Sequence, residues 1–105
     1  MKEYKYLVTE DAREDLRRHL SYIKRKFKNP QAIGNVRNDF AETVSSLATV
    51  AGAISEPESE ELKKRGLKRI NLKRHDYFLL YRINSETAEV MRMFHFLEDY
   101  ENKLR

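Results

Sequence analysis

The sequence contains no cysteine and no tryptophan, and only three glycines and two prolines among 105 residues. Without cysteine, the chain forms neither a disulfide bond nor a thiolate metal site. It also lacks a signal-peptide core and an apolar run of the roughly 20 residues that a membrane-spanning helix requires. The length suits one small domain, residues 1–105. We therefore expect a soluble cytoplasmic protein without cofactor, metal ion or membrane partner.

The charge is modest in total but unevenly distributed. The formal net charge is +4, yet residues 63–74 carry seven basic residues and no acid, whereas residues 29–62 carry one arginine and six acids. A concentrated basic strip is a candidate binding surface for nucleic acid or for an acidic protein. A solvated face kept for solubility is the usual explanation of such a strip, but it is weakened here because the charges lie on a strand with an opposite apolar face.

Residues 66–96 predict three consecutive strands, at 67–72, 77–83 and 89–96. The middle run, from Tyr77 to Tyr81, has no charge and is rich in aromatics, which is typical of a strand covered on both faces. The flanking strands alternate, with Ile70 and Leu72 on one face of the first and charged or polar residues on the other. Tyr77 and Tyr81 share a face, where core packing is favoured over stacking on bases.

The residues before these strands predict one strand and two helices. A strand spans Tyr4 to Val8, and Thr9 caps a first helix whose apolar stripe ends at Phe27. Pro30 begins a second amphipathic helix. Residues 51–65 predict an exposed, mobile connector with one short helical turn after Pro57, and residues 97–105 predict one or two helical turns. The expected fold is two-layer α+β, in the order β-α-α-β-β-β, with a mainly antiparallel sheet of about four strands and a short C-terminal helix.

This order of elements resembles the RelE/ParE superfamily of toxins from bacterial type II toxin–antitoxin modules. The resemblance covers nearly the whole chain and is carried by residues 6–12, by residues 69–72 with 77–83, and by the ending that holds His95, Asp99 and Tyr100. It implies a small growth-inhibiting protein that is neutralised by a cognate antitoxin whose tail wraps around it. It also implies one of two targets: the RelE branch cleaves messenger RNA on the ribosome, and the ParE branch poisons DNA gyrase.

The resemblance also implies site residues. Arg69 matches a strand cation of the RelE-type enzymes, His95 stands where some branches place a C-terminal catalytic histidine, and Tyr100 is close enough to assist proton transfer. Asn71 and Phe78 occupy positions that are basic in the RelE pattern. The catalytic candidates are therefore His95, Arg69 and Tyr100, while the candidates for binding RNA or a partner are Lys68, Lys73, Arg74 and His75.

The chemistry behind these candidates is RNA cleavage by attack of the 2′-hydroxyl. It needs a base, an acid and cations that stabilise the phosphorane, and no metal ion. His95 is an acid–base candidate because the pKa of histidine lies near neutrality. His75 is as readily a solvated turn residue, and we expect a structural role for His19.

Three functions follow from these residues. The sequence favours a ribosome-dependent, metal-independent mRNA endonuclease that inhibits translation, with ribosome and mRNA as partners. The alternatives are a non-catalytic inhibitor of DNA gyrase and a degenerate toxin without activity.

Overall fold

A computed structural model of the chain, in which residues 2–104 are described, confirms the predicted α+β fold. Its elements follow one another as β1 (Lys5–Val8), α1 (Glu10–Phe27), α2 (Pro30–Val50), α3 (Glu60–Lys64), β2 (Lys68–Asn71), β3 (Tyr77–Asn84), β4 (Thr87–His95) and α4 (Tyr100–Lys103). Among these residues no helix combines the length and the apolar character needed to cross a membrane.

The four strands form one sheet in the order β1-β4-β3-β2. Strands β2, β3 and β4 pair antiparallel, with Leu79 opposite both Ile70 and Met93. Strand β1 pairs parallel to β4, with Val8 opposite Val90, so the sheet is mixed. The segment between β1 and β4, which contains the two long helices, is long enough for the crossover that a parallel pair needs.

Side-chain caps fix where the two long helices begin. The Thr9 hydroxyl accepts a hydrogen bond from the Ala12 N–H at 3.2 Å and donates one to the Val90 carbonyl at 2.9 Å. The Asn29 side chain accepts from the backbone N–H of Gln31, next to Pro30 at the start of α2. Between the helices Lys28 has φ 50°, a left-handed conformation that ends α1. These caps fold residues 10–50 into a tight helical hairpin.

Both faces of the sheet are covered. The face toward α1 and α2, here the helix face, holds the main core with Leu79 and Tyr81. The opposite face, here the far face, holds a smaller cluster with Phe78 and Leu80, which Tyr100 packs against. Residues Tyr77–Tyr81 of β3 are therefore all buried, as the uncharged aromatic run predicted, and both tyrosines of that run are core residues.

Two details differ from the sequence-based expectation. The connector between α2 and β2 is not simply exposed, because the Leu62 side chain of α3 is buried in the far-face cluster. Phe27 continues the apolar stripe of α1 but is 63% exposed. It is the last residue of the helix and lies next to the turn that joins α1 to α2, outside the core.

Candidate functional site

His95 ends β4 on the helix face, with its ring held in one orientation. Its Nδ1 accepts a hydrogen bond from the Leu97 N–H at 3.1 Å, so the neutral ring carries its proton on Nε2. The ring also meets the edge of Tyr77, with centroids 5.1 Å apart. The Nε2–H has no hydrogen-bond partner among residues 2–104, and it is therefore available to a ligand.

Arg69 lies in β2 on the far face. Its guanidinium stacks 3.8 Å from the ring centroid of Phe78 and 5.3 Å from that of Phe96. Its Nε donates to Oδ1 of Asn71 at 2.9 Å. The cation is therefore held over an aromatic surface by two cation–π contacts.

Tyr100 begins α4 and belongs to the same aromatic surface as Arg69. Its ring lies 5.2 Å from Phe78 and 6.1 Å from Phe94, measured between centroids. Because Tyr77 and Phe78 are consecutive in β3, their side chains point to opposite faces of the sheet. The structure thus brings Arg69 and Tyr100 together and places His95, which contacts Tyr77, on the other face.

The loop between β2 and β3, which contains Lys73, Arg74 and His75, is held by a buried carboxylate. Asp39 of α2 is 1% exposed and accepts from the backbone N–H of Lys73 at 3.1 Å and of Arg74 at 2.8 Å. Its Oδ2 also lies 2.7 Å from Nδ1 of His75. Burial raises the pKa of Asp39, but these hydrogen bonds outweigh it and hold the pKa below its ordinary value. His75 therefore has a partner within the fold.

The basic strip is partly committed to the fold as well. Lys68 Nζ donates to the Ile54 carbonyl at 2.7 Å, and the Arg74 guanidinium donates to Glu42 at 2.7 Å. The Lys73 side chain makes no hydrogen bond or ion pair within residues 2–104. Of the four residues predicted to bind RNA or a partner, Lys73 is the one whose charged group has no partner in the described chain.

A second buried aspartate ties α1 to β4. Asp15 is 4% exposed and accepts from the Met93 N–H at 2.9 Å and from Nε and Nη2 of Arg92 at 2.7 and 3.2 Å. The hydrogen bond to Asp15 raises the pKa of Arg92. Sequence reasoning missed both aspartates, although Asp15 lies three residues after Ala12 and Asp39 three after Val36, on the apolar stripes of their helices. A single acid on such a stripe is the signal for a buried anchor.

A pocket of about 550 Å³, here the end pocket, lies between α1 and the end of β4. Its polar wall includes His19, Tyr77, His95 and Glu98, and its rim includes Tyr22 and Phe27. His19, as expected, is structural: it is buried, and its Nε2 donates to the Met93 carbonyl at 3.2 Å. Burial lowers the pKa of His19 and raises that of Tyr77.

A larger cavity, here the hairpin groove, runs between α1 and α2 and measures about 980 Å³. Its apolar part includes Leu20, Pro30 and Ile33, which come from both helices. Its charged lining is entirely basic and consists of Arg17, Lys24, Arg25, Lys28 and Arg37. All of these except Arg17, which pairs with Glu10 and Glu14, lack an ion-pair partner in the described chain. Among residues 2–104, no group of three or more His, Cys, Asp or Glu side chains is arranged to hold a metal ion.

The fold is shared with solved structures of two toxin–antitoxin systems. The structure of the chromosomal ParDE system of P. aeruginosa superimposes with a TM-score of 0.74 at 19% identity, over 89% of this chain and 96% of that one. The RelBE2 toxin–antitoxin complex of Mycobacterium tuberculosis superimposes with a TM-score of 0.57 at 25% identity, over 89% and 98% of the two chains. A search of curated protein sequences found no match.

Residues 6–100 match the sequence model of the ParE toxin of the type II toxin–antitoxin system parDE. The chain belongs to this family and is a toxin of a type II toxin–antitoxin system. The match confirms the resemblance to the RelE/ParE superfamily that the order of strands and helices suggested.

Proposed function

We propose that this toxin inhibits DNA gyrase by binding to it and does not cleave RNA. The observation that carries the proposal is the division of the catalytic candidates between the two faces of the sheet. His95 contacts Tyr77 on the helix face, whereas Tyr100 contacts Phe78 on the far face. Gyrase is the target that the resemblance implies for the ParE branch.

The chemistry of RNA cleavage explains why this division matters. A base and an acid must both reach the same phosphate within hydrogen-bond distance, and a cation must stabilise it there. Arg69 stacks on Phe78 and shares the far face with Tyr100, while the β sheet separates both from the His95 ring. A protein that acts by binding needs no such convergence.

The test is a reaction with purified gyrase, plasmid DNA and the purified toxin, in the absence of ribosomes. We expect loss of supercoiling and accumulation of linear plasmid from trapped cleavage complexes. The variants His95→Ala and Arg69→Ala should be compared with Lys64→Ala, a basic residue outside the aromatic surface. Unchanged supercoiling at toxin concentrations well above that of gyrase would exclude the proposal.

The second candidate function is the ribosome-dependent mRNA endonuclease, with His95 as its acid–base residue. The unpartnered Nε2–H of His95, which the Leu97 hydrogen bond orients, supports it. The test is a cell-free translation reaction on one defined message, with RNA ends mapped with and without ribosomes. Cleavage that appears only on translated message and disappears in a folded His95→Ala variant would establish this function. A toxin inactive in both reactions would be the degenerate form.

The partner we propose is a cognate antitoxin, of which an acidic amphipathic segment binds in the hairpin groove. The apolar residues of the groove offer burial for one face of such a segment, and its cations match acidic side chains on the other face. The two solved structures compared above both come from toxin–antitoxin systems.

The antitoxin proposal is tested by charge reversal in the groove. We expect Lys24→Glu and Arg37→Glu to weaken antitoxin binding at least tenfold each, because each replaces an attraction by a repulsion. Lys64→Glu, which changes the same charge outside the groove, is the matched control. Equal weakening of antitoxin binding by all three variants would show a general effect of charge and not binding in the groove.

A further inference from the structure

The end pocket presents hydrogen-bond donors that the fold does not use. Tyr77 is only 9% exposed, and its hydroxyl has no hydrogen-bond partner among residues 2–104. The Nε2–H of His95, which also has no hydrogen-bond partner among residues 2–104, lies in the same pocket. Among the described residues no buried side-chain nitrogen or oxygen lacks a hydrogen bond, so both donors are reached from the pocket itself, where a ligand would supply their acceptors.

The rim of the pocket is aromatic and basic. Tyr22 and Phe27 of α1 are 52% and 63% exposed, so two large aromatic side chains face solvent at the edge of the pocket. Arg25 lies between them in sequence and lines the same pocket, and its guanidinium makes no ion pair within the described residues. Aromatic faces next to a free guanidinium are the combination that binds bases by stacking and phosphates by charge.

The one carboxylate of the pocket is already satisfied. Glu98 accepts from the His95 backbone N–H at 2.9 Å and from Lys103 Nζ at 2.7 Å. Burial raises the pKa of Glu98, but these bonds outweigh it and lower the pKa overall, so Glu98 is ionised near neutral pH and its negative charge is paired with Lys103. It therefore does not oppose an anion that enters beside Arg25.

From this arrangement we infer that the end pocket binds a nucleotide unit, with the base against Tyr22 and Phe27 and the phosphate on Arg25. Tyr77 and His95 donate to acceptors of the base or sugar. The volume of about 550 Å³ lies in the range of small-ligand sites. The same unit exists as a free mononucleotide and as one residue of a single strand. This inference goes beyond the proposed gyrase inhibition and does not depend on it.

Histidine resonances test the inference directly, because the chain has only three histidines. The full-length labelled protein is titrated with adenosine monophosphate, uridine monophosphate and five-residue single strands of RNA and DNA. We expect the ring signals of His95 and His19 to shift saturably and those of His75, outside the pocket, to stay in place. If the strands bind no more tightly than the mononucleotides, the ligand is a free nucleotide. If the strands bind more tightly, the ligand is a single-stranded nucleic acid.

Two substitutions, each compared with a control substitution, locate the binding. Tyr77→Phe removes only the hydroxyl and should weaken binding about fivefold, the factor of one net hydrogen bond. Tyr100→Phe removes a tyrosine hydroxyl from the other face and should leave affinity unchanged. Arg25→Ala should weaken phosphate-bearing ligands more than the nucleosides adenosine and uridine, whereas Lys26→Ala, which removes the same charge outside the pocket, should affect both alike.

Three results overturn the inference. The first is the absence of a saturable His95 shift with every nucleotide and strand at millimolar concentration. The second is equal affinity of Tyr77→Phe and the unmodified protein. The third is tighter binding of the blocked dipeptide acetyl-Glu-Phe-amide than of the mononucleotides, which would assign the pocket to a protein segment. None of these measurements contains gyrase, so a failure here leaves the proposed function untouched.

Discussion

Asp15 and Arg92 form a two-point ion pair that joins the first turns of α1 to the last strand. Both carboxylate oxygens accept from the guanidinium, at 2.7 and 3.2 Å, and one of them also accepts from the Met93 N–H at 2.9 Å. Residues 15 and 92 are far apart in the sequence, so this contact closes nearly the whole chain. It holds α1 against β4 next to the end pocket.

Replacement of Asp15 by alanine should destabilise the protein by about 3 kcal/mol, because it leaves Arg92 and a buried N–H without their partner. The free energy of unfolding is measured by urea denaturation. Glu14→Ala, which removes an exposed carboxylate one residue earlier, should change it by less than about 0.5 kcal/mol. Similar losses from the two variants would show that the Asp15 contact contributes little.

Replacement of Asp39 by alanine should release the β2–β3 loop. The carboxylate accepts from the N–H groups of Lys73 and Arg74, which then lose their partner. We expect hydrogen exchange at these two amides to accelerate at least tenfold, with a loss of global stability of about 3 kcal/mol. Glu42→Ala, which removes the exposed partner of Arg74, is the control. Protection that survives in Asp39→Ala would contradict this role.

Stability should fall as the pH decreases below about 6.5 because of His19. Burial lowers the pKa of His19 from its ordinary value of 6.5, so the unfolded chain binds the proton first. The neutral ring therefore makes its full contribution to the free energy of unfolding above pH 6.5. This contribution is lost as the pH falls toward the lower pKa of the folded state. Asp15, Arg18 and Glu98 face the ring.

The measurement for His19 is the melting temperature at pH 7.5, 6.5 and 5.5. His19→Gln, whose side chain still carries an N–H donor, should flatten the decline across this interval. Asp39 and Glu98 have pKa values below their ordinary values of 3.8 and 4.5, so their contributions are lost only at lower pH. A decline of equal slope in His19→Gln would assign the pH dependence to other groups.

Replacement by alanine should change the stability of the protein in opposite directions at Gly34 and Gly52. Gly34 lies within α2 with no atom near the position of an added Cβ, so Gly34→Ala should stabilise the protein by up to about 1 kcal/mol through helix propensity. At Gly52 an added Cβ would lie 2.5 Å from the Tyr4 hydroxyl, so Gly52→Ala should cost about 1 kcal/mol or more. The melting temperatures of both variants test this prediction. A shift of the melting temperature in the same direction in both variants would contradict the Tyr4 contact.

Much of the fold was predictable from local patterns. The uncharged run from Tyr77 to Tyr81 indicated a central strand, and Thr9 and Pro30 indicated where helices begin. The parallel pairing of β1 with β4 was not predictable from periodicity, because it depends on a contact between the two ends of the chain. The buried aspartates and the exposure of Phe27 also follow from tertiary packing, which an apolar stripe alone does not specify.

The candidate site was predictable only as a set of residue types. Arg69, His95 and Tyr100 carry suitable chemistry, but strand alternation decides which face each occupies. The pairing of Tyr77 with His95 in the β3–β4 ladder sets that register and places the histidine on the helix face. The end pocket was not predicted, because its walls combine α1 with residues 77, 95 and 98, which meet only in the folded chain.

The measurement that tests the central claim most directly is the ribosome-free gyrase reaction with the purified toxin. We predict that linear plasmid accumulates, that supercoiling is lost, and that folded His95→Ala retains this effect because no acid–base chemistry is involved. Undisturbed supercoiling, together with new RNA ends on translated message that vanish in His95→Ala, would contradict the account.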